Sequence, residues 1–159
     1  MSKCLICNSK VDTFLDFGQQ PIANRFLKEQ QFSDEYFFHM QIGFCPNCKM
    51  VQLLDQPDRE KMFHENYAFF SSTSNYMQKH FKQFADSVIS TQSLKKESFV
   101  VEIGCNDGIM IQNFMEKGIG HLGIEPSENV AKVAQSKGIN VTSEFFGEEL
   151  AEETIVKYG

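Results

Sequence analysis

Cys4-Leu5-Ile6-Cys7 is answered by Cys45-Pro46-Asn47-Cys48, two C-x-x-C turns separated by 37 residues. Each such turn sets two sulfurs on one side of a tight knuckle, and two knuckles supply the four thiolates of a tetrahedral metal site with bonds of about 2.3 Å. Four protein ligands leave no open coordination position, so the reading is a structural zinc held by Cys4, Cys7, Cys45 and Cys48. Two disulfides, or free buried cysteines, are the competing explanations, and His39 and His64 are conceivable substitute ligands. Ligand type and spacing favour the thiolate quartet. A metal also answers a problem of size: residues 1–62 are too few to bury much surface without a staple, and metal-binding free energy becomes folding free energy.

The rest of the chain bounds the function classes. It has 159 residues, 42% hydrophobic and 23% charged, with a net charge of −6 and a sequence pI of about 5.2. No Lys/Arg cluster exceeds Lys95-Lys96. A nucleic-acid binder should carry a basic patch, so DNA and RNA are not expected as partners. No apolar run approaches the ~20 residues of a membrane span, and Met1-Ser2-Lys3 leads into the first knuckle without an apolar leader. Five cysteines without such a leader fit a reducing compartment, and a cytoplasmic location is expected.

Three segments emerge. Residues 1–62 read as short strands and turns around the metal, a zinc ribbon-like module. Residues 63–97 read as an aromatic connector, with Phe63, Tyr67, Phe69 and Phe70, followed by a helix. That helix is expected to start in the Ser71-Ser72-Thr73-Ser74 run, since Ser is a good N-cap. Its apolar face carries Tyr76, Met77, Phe81, Phe84, Ala85, Val88 and Ile89 at helical spacing. Residues 98–159 alternate strand and helix: strands over 99–103, 121–124 and 139–142, and helices over 109–116, from the Ser127 cap to 137, and over 147–156. Alternation of this kind predicts a parallel, Rossmann-like sheet, so the fold class is α/β. Three strands are half of such a sheet, and the chain is expected to be the N-terminal portion of a longer one.

Val100-Val101-Glu102-Ile103-Gly104-Cys105-Asn106-Asp107-Gly108 runs a hydrophobic strand into a glycine turn and a helix. Ligands bind at the carboxyl ends of strands in such sheets. The segment lacks the third glycine of a dinucleotide loop and the Lys of a phosphate-binding loop. An acidic residue in the strand suits S-adenosylmethionine, whose amino-acid part is cationic. Gly123-Ile124-Glu125-Pro126-Ser127 then puts Glu125 at the end of the second strand, where acidic residues accept from ribose hydroxyls. The candidate cofactor residues are Glu102, Gly104, Asn106, Gly108, Glu125 and Pro126. Each motif alone is also what a plain turn looks like. Cys105 is read as packing inside its loop. Tyr67 and His80 are of a type that moves protons, although on the residues alone packing and capping are the better explanation of the connector's aromatic and hydroxyl residues.

Taken in order, the C-x-x-C pairs, Phe63-His64-Glu65-Asn66-Tyr67, Ser71-Ser72-Thr73-Ser74 with His80, Glu102-Ile103-Gly104-Cys105-Asn106-Asp107-Gly108 and Gly123-Ile124-Glu125-Pro126-Ser127 resemble the sugar C-methyltransferases of deoxysugar biosynthesis. That resemblance implies an N-terminal zinc module, an S-adenosylmethionine domain and a further Rossmann-like domain. It implies methylation of a ring carbon in a nucleotide-linked (dTDP-type) 4-keto-6-deoxy sugar through an enolate. Tyr67 is then the candidate for acid/base or enolate-stabilising work, with His80 lining the site. A reading of a different class is a non-catalytic zinc-ribbon scaffold fused to a degenerate Rossmann-like domain. It predicts metal without cofactor.

Overall fold

The computed structural model describes residues 2–23 and 25–159, and divides the chain into two compact units, Met1–Met62 and Phe63–Gly159. Asn24, within the polar stretch after β1, lies outside the described residues.

In the first unit, strands β1 (Asp12–Pro21), β2 (Phe37–Phe44) and β3 (Val51–Leu53) form an antiparallel sheet in the order β1-β2-β3. A bulge interrupts β1 between Asp16 and Gln19, where Gly18 takes a φ of +66° and donates its amide to Asp16 Oδ1 at 2.8 Å. The unit closes with a single helical turn, α1 (Arg59–Met62). Its apolar centre is small: Cys4, Val11 and Cys45, with Cys7 and Leu54 packed against them.

The second unit opens with α2 (Asn75–Thr91), whose N-cap Ser74 accepts from the Met77 amide at 3.3 Å. Of the four hydroxyl residues expected to cap, Ser74 does so. The amides of Ser71 and Ser72 instead go to the loop described below. Strands β4 (Phe99–Ile103), β5 (Gly120–Ile124) and β6 (Val141–Thr142) pair in parallel, in sheet order β4-β5-β6. Between them run α3 (Gln112–Glu116) and α4 (Glu128–Ser136), and α5 (Glu148–Tyr158) follows. Two apolar clusters pack against the sheet. One joins Cys105, Ile111, Ala131, Ala134, Ile139 and Val141, and the other sets Ala85, Val88 and Ile89 of α2 against Val100, Phe114 and Ile119. The opposite side of β4 is bare, with Val101 40% and Ile103 58% exposed. A parallel sheet is ordinarily covered on both faces.

Two elements start later than expected, and one expected cap is not made. The helix expected from Ile109 begins at Gln112, because the chain turns irregularly there and the Asn113 amide bonds the carbonyls of Ile109 and Met110. The strand expected from Ile139 begins at Val141. Asn140 instead gives its amide and its side chain to His121, at 3.2 and 3.1 Å. Ser127 precedes α4 but its hydroxyl does not cap it: Ser127 Oγ is buried without a hydrogen-bond partner.

Candidate metal centre and candidate cofactor site

The two knuckles are built alike. In each, the residue after the second cysteine turns the chain with a left-handed backbone, Asn8 at φ +61° and Lys49 at φ +66°. Its amide then bonds the carbonyl of the first cysteine, Asn8 to Cys4 at 2.9 Å and Lys49 to Cys45 at 2.9 Å. The four Sγ atoms converge within 4.8 Å of one another, with Cys4–Cys48 and Cys7–Cys45 at 3.5 Å. These separations are too long for disulfides, whose sulfurs lie about 2.05 Å apart. They are close to the ~3.8 Å edge of a tetrahedron with 2.3 Å zinc–sulfur bonds. The thiols cannot all ionise on their own. Cys7 is drawn down to about 5 by the side chains of Ser9 and Asn47, whereas Cys48, despite the pull of the Met50 amide, is pushed up to about 12 by burial and the adjoining thiols. A dication resolves that conflict by facing all four thiolates at once. The quartet is a zinc-binding site. The substitute ligands lie elsewhere: His39 Nε2 meets Asp16 at 2.7 Å, and His64 Nδ1 accepts from the Asn66 amide.

In the second unit, the loop after β4 carries left-handed residues at every second position, Gly104 (φ +73°), Asn106 (φ +50°) and Gly108 (φ +83°). Its amides point inward. Gly104 and Cys105 donate to the Ile124 carbonyl at 2.8 and 3.2 Å, Asn106 to Glu125 Oε2 at 3.1 Å, and Gly108 to Cys105 at 2.9 Å. The other Glu125 oxygen accepts from the Ser127 amide at 2.8 Å. Glu125 is buried, one residue past the end of β5, and Pro126 follows it. Gly108 is forced by contact as well as by φ, since a Cβ there would stand 2.2 Å from Ile139 Cδ1. At Gly104 a Cβ would meet nothing within 4 Å, so the chain passes an open space there.

Glu102 lies on the half-buried side of β4, and its Oε2 is buried without a hydrogen-bond partner. Burial pushes its carboxyl up to about 8, and the Ile111 amide offsets only part of that rise. Cys105 is buried in the core, which together with the neighbouring carboxyls raises its thiol to about 12. It packs as an inert thiol.

The connector is stapled to this loop by contacts that sequence reasoning did not anticipate, through Asn106 and through Asp107, Lys137 and Asn129, to which it gave no role. Asn106 accepts from the Ser71 amide at 2.8 Å and donates to the Phe69 carbonyl at 3.1 Å. Asp107, only 1% exposed, accepts from the Ser72 amide and hydroxyl. Lys137 closes the cluster, donating to the Asp107 carbonyl at 2.6 Å and approaching its carboxylate at 3.7 Å. Asn129 on α4 donates to the Tyr67 carbonyl at 2.8 Å, and its own Oδ1 is buried and unpartnered. Tyr67, half-buried with its ring 5.7 Å from Phe63, is thus tied to the same end of the sheet as Glu102, Gly104, Asn106, Gly108, Glu125 and Pro126. His80 is not brought in. It is exposed on α2 with its ring 5.4 Å from Phe81, and no hydrogen bond among the described residues ties it to the loop. Lys137 carries no motif signal at all. Asp107 sits inside the expected loop, and the signal there was its place next to Asn106.

Residues 4–63 match the family described as "Putative zinc binding domain". The whole chain is similar to the C-methyltransferase NovU of Streptomyces niveus, at 26% identity. It spans 38% of that relative's length. Both findings support the resemblance read from the motifs. No helix among the described residues is long and apolar enough to cross a membrane.

Proposed function

We propose that the second unit binds S-adenosylmethionine and that the chain serves a C-methyltransferase acting on a nucleotide-linked 4-keto-6-deoxy sugar. The observation that carries the reading is the chemistry gathered at the carboxyl end of β4 and β5. A loop whose Gly104, Cys105 and Asn106 amides are spent on Ile124 and Glu125, and whose Gly108 amide is spent on Cys105, is poor in N–H donors for a pyrophosphate. Glu102 offers instead an uncompensated carboxyl oxygen, which suits a cation. Glu125 keeps unused lone pairs for ribose hydroxyls, since each oxygen accepts one bond. A scaffold would have no use for a carboxyl buried in this way.

When bound, the cofactor supplies an electrophilic methyl group. The chain's part is positioning and proton handling. A proton beside a ketone is acidic enough for a held base to remove, and donors near the enolate oxygen stabilise the charge that forms. Tyr67 is the residue proposed for that work: its phenolic Oη holds or moves the proton, while Asn129 holds its backbone carbonyl. Holding the reacting partners together supplies much of the acceleration.

The test is a calorimetric titration of the zinc-loaded protein with S-adenosylhomocysteine, repeated on Glu125→Ala. Saturable one-to-one binding, weakened at least tenfold in the variant, is expected. A folded protein that does not bind would overturn the cofactor reading, and an unchanged dissociation constant in Glu125→Ala would remove Glu125 from the site.

A further inference from the structure

We propose that Glu102 is a neutral carboxylic acid in the free protein and releases its proton to solvent when the ammonium of the ligand's amino-acid part binds beside it. The inference rests on the cofactor reading above and adds to it a proton linked to occupancy.

Among the described residues, the surroundings of Glu102 supply no free positive charge. On its own strand the neighbour on the same side is Val100, and its register partner on β5 is Gly123. Further back on β5, His121 has both ring nitrogens engaged elsewhere, Nε2 by the Asn140 amide and Nδ1 by the Ile119 carbonyl, each at 3.2 Å. The side of α2 packed on this layer brings Ala85, Val88 and Ile89, and His80 is exposed beyond them. From α3's approach comes only the Ile111 amide. The loop adds the Cys105 thiol and the carboxyls of Asp107 and Glu125, none of them cationic. The cation of this cluster, Lys137, is engaged by Asp107. An ionised carboxylate with a buried, unpartnered oxygen and no counter-charge is costlier than its protonated form, which is why burial carries Glu102 up to about 8. A ligand ammonium reverses the balance by compensating the charge. The ammonium keeps its own protons, and the carboxyl's single proton leaves to the buffer.

The sign follows. The ionised form binds, so affinity rises with pH up to about 8, by as much as about tenfold per pH unit, and levels off above it. The experiment is titration of the zinc-loaded protein with S-adenosylhomocysteine at neutral pH in buffers of different ionisation enthalpy, which counts protons directly. Release of roughly one proton is expected, together with loss of a protonated-carboxyl infrared band on binding. 5′-Methylthioadenosine, which lacks the amino-acid part, should bind without release, and Glu102→Gln should release none with S-adenosylhomocysteine. Binding without proton release, at an affinity flat from pH 6 to 8, would overturn the proposal and leave the cofactor reading standing. Equal release by 5′-methylthioadenosine or by Glu102→Gln would overturn it too. Absence of binding would overturn both.

Discussion

Two glycines in one loop separate stability from binding at the residue scale. Gly108 has a φ of +83° and no room, since its Cβ would stand 2.2 Å from Ile139. Gly108→Ala therefore combines a left-handed backbone cost with overpacking, roughly 2–4 kcal/mol together. Its denaturation midpoint should fall accordingly. Gly104 has a φ of +73° but open space ahead of its Cβ, so Gly104→Ala carries only the backbone cost of about 1–2 kcal/mol. Its methyl enters the space proposed for the cofactor, and S-adenosylhomocysteine affinity should drop more than stability does. The reverse ranking in paired denaturation and calorimetry experiments would show that the open space is not the site. The sequence announced both glycines as turn residues. It could not announce which is packed and which faces a void, because that depends on Ile139, which lies 31 positions beyond Gly108 in the chain.

What the sequence did and did not make legible is clearest in the elements. Strand β4 stands at the residues its hydrophobic run marked, Phe99–Ile103, because a short hydrophobic run flanked by polar residues and glycine has few alternatives, although Phe99, Val101 and Ile103 are exposed. The starts that moved furthest, those of α3 and β6, were moved by side chains: Asn113 bonding carbonyls at the start of its own helix, and Asn140 occupying His121. Periodicity does not see such bonds. The staple between connector and loop was invisible for the same reason, since its partners lie 35 residues or more apart in the chain. It has a direct consequence. The amides of Ser71 and Ser72 are protected by the side chains of Asn106 and Asp107, not by a helix or sheet ladder. Asn106→Ala should accelerate hydrogen exchange at Ser71, and Asp107→Asn, which keeps one acceptor oxygen, should do so at Ser72 less than Asp107→Ala does. Amides within β5 should be far less affected. Equal acceleration throughout the sheet would mean that these residues stabilise the unit globally and do not clip the connector to it.

For the whole molecule the contrast lies in what holds each unit together. The described residues of the first unit bury only Cys4, Val11, Ile22 and Cys45 among hydrophobic side chains, and two of those are metal ligands. At about 25 cal/mol per Å² of apolar surface, so small a centre cannot offset the conformational entropy of some sixty ordered residues. A structural zinc site is worth an apparent 10–16 kcal/mol near neutral pH, which is the scale of the deficit. The second unit has no such dependence: Ile111, Phe114, Ile124, Val130 and Ala134 are at most 2% exposed, and two apolar clusters pack against its sheet. Stripping the metal with a strong chelator should therefore abolish exchange protection in β1, β2 and β3 and leave β5 and α4 protected, with protection of the sheet returning on one equivalent of zinc. Cys45→Ser should reproduce the loss, since Cys45 is both fully buried and a ligand. Chelation that leaves the first unit's amides protected would show that the antiparallel sheet stands without its staple. Loss of protection in both units together would show that the second unit depends on the metal as well.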